Sequence, residues 1–131
     1  MGTVPLLSDD EAAPEARAVF DEIRATRGTD YVNNFWRALA HDPALMRATW
    51  DRLKIVMEPG ELDPLVKEMI YVAVSTANGC SYCVHSHTSA AKAKGMTPEQ
   101  HGELLAVIGM AMQTNGLVTG LGVEVDEAFQ A

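Results

Sequence analysis

Basic residues are scarce in this sequence. Ten lysines and arginines stand against eighteen acidic residues, which gives a formal net charge of −8 at neutral pH. No cluster of lysine and arginine is present that could neutralise a row of phosphates. Neither nucleic acid nor an anionic membrane surface is therefore expected as a partner.

A leader pattern and long apolar runs are also lacking. Residues 1–11 show no basic stretch followed by an apolar one, so no secretory signal is expected. No run of residues approaches the roughly 18 apolar positions of a membrane span. These features predict a cytoplasmic protein that does not enter the membrane.

Aromatic residues make up only 6% of the 131 positions, so alanine, leucine, valine and seven methionines must fill most of the core. Alanine, leucine and methionine favour helices, whereas β-branched and aromatic residues favour strands. This composition predicts an all-α fold. The chain length predicts a single domain over residues 1–131.

Proline, capping residues and glycine divide the chain into six predicted helices. The predicted starts lie at or next to Pro14, Asn34, Pro43, Pro64, Cys80 and Pro98. Glycine predicts that the first, fifth and sixth helices end at Gly28, Gly95 and Gly116. A strand over residues 117–125 is an alternative for the segment that follows Gly116.

The fourth and sixth predicted helices are apolar nearly all round. A helix of that kind is buried on several faces. A chain of 131 residues can hardly cover both helices by itself. We therefore expect a homo-oligomer, a trimer or hexamer, with the surplus apolar surface at subunit contacts.

Only two cysteines are present, and they form the close pair Cys80-Ser-Tyr-Cys83. In a reducing compartment such a pair indicates catalysis or metal binding rather than a structural disulfide. On a helix with about 100° per residue, Cys83 and His87 lie within about 60° of Cys80. His85 points elsewhere, so this geometry separates the two histidines.

The spacing also suits thiol chemistry. Cys80 lies in the first turn, where unpaired N–H groups stabilise a thiolate. Cys83 and His87 are four residues apart, close enough for the imidazole to take the thiol proton directly or through water. Glu68, in an otherwise apolar helix, needs a partner. If the turn at residues 78–79 folds the two helices together, Glu68 can orient His87.

The pattern of Glu68, eleven residues, then Cys80-x-x-Cys83-x-x-x-His87 resembles the alkylhydroperoxidase D and carboxymuconolactone decarboxylase superfamily over about residues 35–115. The resemblance implies a thiol-dependent peroxidase or disulfide reductase with a dithiol–disulfide cycle and a His87/Glu68 proton relay. It implies that Cys83 attacks the peroxide and Cys80 resolves the product, although dipole placement alone favours Cys80 as the more acidic thiol.

The implied partners are a small hydroperoxide and an external dithiol reductant of protein or lipoyl type. No organic cofactor and no metal are expected. Tyr82 stands where better-studied members carry histidine. A phenol titrates near ~10 and relays protons less readily around neutrality. Weak peroxidase activity or a different substrate is one consequence of this departure.

Four alternatives stay open. Cys80, Cys83 and His87 could bind zinc, which would need a fourth ligand. The two thiols could be inert and buried. The scaffold could carry carboxymuconolactone decarboxylase-like chemistry on a small organic acid, with His87 as the base. The chain could also be a non-enzymatic oligomer that senses redox state or binds a partner.

Overall fold

A computed structural model describes residues 2–130, and within that range every regular element is helical. The elements are α1 (Pro14–Arg27), α2 (Asn34–Leu39), α3 (Pro43–Met57), α4 (Pro64–Ala77), α5 (Ser81–Ala93) and α6 (Pro98–Leu121), followed by a single 3₁₀ turn at Glu127–Phe129. The all-α prediction and the six predicted helices are confirmed.

The described residues form two compact units, one ending at Glu58 and the other beginning at Pro59. The first unit contains α1, α2 and α3, and the second contains α4, α5 and α6. The single domain over residues 1–131 stays a prediction.

The first unit holds the larger apolar core. Trp36 and Trp50 are almost fully buried and meet edge to face, with ring centroids 5.4 Å apart. The remaining buried members of this core are Ala12, Ala16, Val19, Phe20, Ile23, Val32, Ala40 and Met46. Much of the small aromatic content is thus concentrated in this unit.

Burial in the second unit is sparser. The helix α4 packs along α5 and also against α6. The buried apolar residues here are only Val72, Ala91, Met96 and Ile108. Every residue from Gly109 to Gln130 is exposed. The second unit therefore leaves many large apolar side chains exposed.

A tight reversal joins α4 to α5. Gly79 adopts a left-handed φ of 69°, which glycine tolerates without strain. The Cys80 N–H donates to the Ser75 carbonyl at 2.9 Å, and the Gly79 N–H donates to the Thr76 carbonyl at 3.1 Å. These are the two hydrogen bonds of a Schellman motif. The motif ends α4 and places Cys80 at the start of α5.

The end of α6 differs from the prediction. The helix continues through Gly116 to Leu121 and ends at Gly122, whose φ of 61° is left-handed. One glycine inside a helix costs only about 1 kcal/mol relative to alanine, so a helix of 24 residues can absorb it. The predicted end at Gly116 is therefore wrong. The alternative strand over residues 117–125 is wrong as well, because residues 117–121 are helical and residues 123–125 form no strand.

The apolar character of α6 also exceeds the expectation from sequence. Its 24 residues include an 18-residue window with a mean hydropathy of 1.4, of which 6% is buried. By length and composition alone such a helix can cross a membrane, so the expectation that no stretch approaches a span is wrong by that criterion. One helix of this kind is weak evidence for a membrane span, because core helices of soluble proteins pass the same test of length and composition.

A capping box fixes the start of α6 and generates a stability prediction. The Gln100 N–H donates to the Thr97 hydroxyl at 3.1 Å, and the Thr97 N–H donates to the Gln100 side chain at 2.9 Å. Thr97→Ala removes the hydroxyl and should lower the free energy of unfolding by about 1 kcal/mol. Thr97→Ser keeps the cap and is the control. Urea unfolding followed by circular dichroism measures both, and an alanine variant as stable as the parent would contradict this role.

Candidate active site

Glu68 is a buried charge in the middle of α4, with 5% of its surface exposed. Its Oε2 accepts a hydrogen bond from His87 Nδ1 at 2.7 Å, and its Oε1 accepts one from Lys94 Nζ at 3.1 Å. Burial opposes ionisation of the carboxyl. The hydrogen bonds from His87 and Lys94 outweigh that effect, and the pKa of Glu68 is lowered. The carboxylate is therefore charged and doubly held at neutral pH.

Two contacts orient His87. A carboxylate can only accept, so the proton of the shared hydrogen bond lies on Nδ1. In the neutral ring, Nε2 then carries the free lone pair. Tyr71 stacks on the imidazole, with ring centroids 3.5 Å apart and an angle of 18° between the planes. One contact selects the tautomer, and the other restricts rotation of the ring.

The two cysteines are free thiols, and both residues are half-buried. Cys80 is the N-cap of α5, and its sulfur accepts the Cys83 backbone N–H at 3.3 Å. Hydrogen bonds from the Cys83 thiol and backbone lower the pKa of Cys80. Burial, and then the neighbouring Cys80, raises the pKa of Cys83 to about 11. The first proton lost from the pair therefore leaves a thiolate on Cys80 with Cys83 as its donor.

Tyr71 shares the environment of the thiols. Burial raises the pKa of its phenol, and the negative charges of Cys83, Glu68 and Cys80 raise it further. The hydroxyl therefore stays protonated around neutrality and is available as a hydrogen-bond donor.

The structure brings Glu68 and His87 together and places Cys80 and Cys83 in hydrogen-bond contact at the start of the helix that carries His87. His85 is exposed, and Tyr82 is 44% exposed. Within residues 2–130, no group of three or more His, Cys, Asp or Glu side chains is arranged to hold a metal ion. The zinc alternative thus has no geometric support in that range.

Lys94 and Tyr71 are absent from the residues predicted from sequence. Lys94 follows His87 by seven residues, and Tyr71 follows Glu68 by three. Both spacings put the later residue on the same helix face as the earlier one. The sequence therefore contained a pattern from which both residues could have been predicted. A lysine at a helix end and a tyrosine in an apolar helix also have ordinary structural explanations, so the pattern does not by itself indicate a functional role.

Comparison with known proteins points to one family. The carboxymuconolactone decarboxylase family matches residues 43–123, a range that contains Glu68, both cysteines and His87. An uncharacterised protein of Cupriavidus necator is 38% identical over 82 residues, which are 63% of this chain and 73% of that protein.

Two proteins named alkyl hydroperoxide reductase AhpD match shorter parts. The protein of Solibacter usitatus is 37% identical over 57% of this chain and 40% of its own length. The protein of Mycobacteroides abscessus is 43% identical over 43% of this chain and 31% of its own length. The chain thus spans less than half of either relative.

One solved structure matches throughout. The alkylhydroperoxidase AhpD core from Rhodospirillum rubrum superposes with a TM-score of 0.97 at 64% identity, covering 100% of this chain and 98% of that one. This match confirms the resemblance inferred from the spacing of the glutamate, the cysteines and the histidine. The chain belongs to the carboxymuconolactone decarboxylase family, and within that family it is an alkylhydroperoxidase D-like protein.

Proposed function

We propose that the chain is a thiol-dependent peroxidase or disulfide reductase that reduces small hydroperoxides with electrons from an external dithiol. The 2.7 Å contact between His87 Nδ1 and Glu68 Oε2 carries the proposal, because it orients a base on the helix that begins with the cysteine pair. The relatives named alkyl hydroperoxide reductase and the AhpD core structure support this class of chemistry.

In the first step, His87 Nε2 takes the proton of the Cys83 thiol directly or through water, and Glu68 stabilises the imidazolium. The Cys83 thiolate attacks the terminal oxygen of the hydroperoxide. An S–O bond forms, the O–O bond breaks, and the departing alkoxide leaves as an alcohol with the proton from His87. Cys83 is oxidised to a sulfenic acid while the peroxide is reduced.

In the second step, Cys80 attacks the sulfenic sulfur of Cys83. An S–S bond forms, the S–O bond breaks, and hydroxide leaves as water with the proton that Cys80 releases. An external dithiol then attacks the Cys80 sulfur and gives up its thiol proton to His87 Nε2, and Cys83 leaves as a thiolate that takes this proton from His87. The second thiol of the reductant closes its own disulfide and returns Cys80 to the thiol state.

The two thiols have unequal pKa values, which are compatible with these roles when His87 acts as the base. The lowered pKa of Cys80 makes a thiolate available for the resolving step. The raised pKa of Cys83, about 11, creates the need for a base and makes its thiolate the stronger nucleophile. The reverse order, in which Cys80 attacks the peroxide, is favoured by its lower pKa, and trapping of the sulfenic acid separates the two orders.

The alternatives make different demands on the thiols. Carboxymuconolactone decarboxylase-like chemistry would use His87 and Glu68 as acid and base, so replacing both cysteines by serine would leave turnover intact. A redox sensor would oxidise its thiols once and would not turn over with peroxide and dithiol together. We place the enzyme in the cytoplasm, where reductants keep close thiol pairs reduced.

We further propose that copies of this chain cover α6 in a trimer or hexamer. Exposed apolar side chains cover α6: Leu105, Val107, Met110, Met112, Leu117, Val118 and Leu121. Gly102, Gly109 and Gly116 recur every seven residues on one face, and a Cβ at any of them would meet nothing within 4 Å in this chain. They leave room for the close approach of another helix.

Trapping with dimedone tests the order of the cysteines. Cys80→Ser should still form one sulfenic acid, on Cys83, with one equivalent of peroxide. Cys83→Ser should form none and should lose peroxide turnover. Mass spectrometry of the adducts reads both results. An adduct on Cys80 in Cys83→Ser would reverse the order, and unchanged turnover in both variants would end the thiol mechanism.

Removal of the proposed base gives a second test. His87→Ala should lower kcat/KM for hydroperoxide by about 10²-fold, the lower end for a positioned acid–base group. The loss should narrow as the pH rises toward the pKa of Cys83, about 11, because solvent then deprotonates the thiol. His85→Ala, on the exposed side of the same helix, is the control. A loss that does not change with pH would contradict the role of His87 as the base.

Sedimentation velocity at micromolar concentration tests the assembly. The parent protein should sediment as a trimer or hexamer. Met110→Glu places a charge in the apolar hollow lined by Ala106, Val107, Met110, Ala111 and Thr114, and it should release smaller species with the helix content unchanged. Arg52→Glu, at an exposed position on α3, is the control. A monomeric parent, or one recovered only with membranes, would contradict the proposed assembly.

A further inference from the structure

We propose that Lys94 is a positioning residue of the relay, which keeps the Glu68 carboxylate in the state that holds His87 in its Nδ1–H tautomer. The inference rests on the proposed function and adds a residue to its proton relay.

His87 and Lys94 hold the Glu68 carboxylate from two sides, and this pair of hydrogen bonds is called the clamp. Glu68 projects from α4 and receives two donors from the α5 segment, His87 Nδ1 at 2.7 Å on Oε2 and Lys94 Nζ at 3.1 Å on Oε1. Lys94 is the C-cap of α5, about two turns beyond His87. Its side chain is 40% exposed while that of Glu68 is 7% exposed. The lysine thus reaches from solvent to a buried oxygen.

The chemistry of the carboxyl group explains why this second donor matters. An ionised carboxylate has no proton to give, so it can only accept from Nδ1. A protonated carboxyl can donate instead, and donation to Nδ1 would move the ring proton to Nε2. A histidine in that tautomer presents no lone pair from Nε2 to a thiol. Keeping Glu68 ionised therefore keeps His87 usable as a base.

Lys94 opposes two changes that would break the hydrogen bond from His87 Nδ1 to Glu68: protonation of the carboxylate and its rotation. Burial favours the protonated carboxyl, and the hydrogen bond and charge of Lys94 oppose it. Rotation of a carboxylate about its last bond is broad and roughly two-fold. The contact of Lys94 with Oε1 restricts this rotation and keeps Oε2 directed at the imidazole.

A purely structural role for Lys94 is separable by a matched control. A cation near a helix C-terminus stabilises the helix through the dipole, whatever else it touches. Lys92 lies exposed in the last turn of α5 and carries the same charge, whereas the ion pairs of Glu68 are with His87 and Lys94. Lys92→Met therefore measures the dipole contribution alone, and Lys94→Met removes the clamp as well.

The tautomer of His87 is the direct readout. In protein labelled with ¹⁵N-histidine, two-bond proton–nitrogen spectra at neutral pH distinguish the Nδ1–H and Nε2–H rings. The parent and Lys92→Met should show the Nδ1–H form of His87. Lys94→Met should show a mixture or the Nε2–H form, and Lys94→Arg should restore the parent spectrum. Lys94→Gln is the second variant in case Lys94→Met does not fold. It also removes the charge, and it should show the same change of tautomer as Lys94→Met.

Kinetics with hydrogen peroxide and dithiothreitol form the second arm. Lys94→Met should lower kcat/KM by about tenfold, part of the roughly 10²-fold to 10⁴-fold that a positioned base contributes. Lys92→Met should stay within about twofold of the parent. An unchanged tautomer in Lys94→Met, or equal rate losses in both variants, would overturn the role of Lys94. A parent protein without peroxide turnover would instead refute the proposed function, while the tautomer arm would still decide the role of Lys94.

Discussion

A carboxylate buried between helices is the constraint on which the site depends. Glu68 is 5% exposed on a helix whose other buried members are Val72 and Ser75. An isolated charge in such surroundings is strongly unfavourable, so the fold must bring donors to it. His87 and Lys94 do so from the same neighbouring helix segment. The requirement to satisfy one buried group thus sets the register of α5 against α4 and orients the imidazole in the same step.

The parts of the fold that were predictable depend on local chemistry. Each helix start is determined within a few residues, as at Asp63–Pro64, where the aspartate accepts the Leu65 N–H, and at the Thr97 capping box. The end of α6 was not predictable in the same way. A glycine is only a weak helix breaker, so whether the helix stops at Gly116 or at Gly122 depends on a small free-energy difference.

The candidate site likewise has parts that local sequence predicts and parts that it does not. Helical periodicity within one segment predicts a shared face for Cys80, Cys83 and His87, because that prediction needs only their spacing. The contacts of Lys94 and Tyr71 depend on how α4 and α5 pair, and the spacing within one helix does not determine that pairing. The need of Glu68 for a partner was predictable from its apolar neighbours, whereas the number of partners was not.

The distribution of burial differs between the two units. The first unit packs two tryptophans and a set of fully buried aliphatic residues. The second carries the candidate site with few buried apolar residues, and the last 22 residues described are all exposed, from Gly109 to Gln130. The family match covers residues 43–123 and so includes most of this less buried part. The residues with the candidate chemistry therefore belong to the unit with less apolar burial of its own.

Cys80 belongs to two structural motifs at once. Its backbone N–H closes the Schellman motif of α4, and its sulfur caps the first turn of α5. A thiolate offers the Cys83 N–H more negative charge than a disulfide sulfur does, so the helix start favours the reduced form. In the proposed dithiol–disulfide cycle, by thermodynamic linkage, the free energy that the cap adds to the reduced protein raises the reduction potential of the pair. In that proposed cycle, the turn that joins α4 to α5 also contributes to the redox couple.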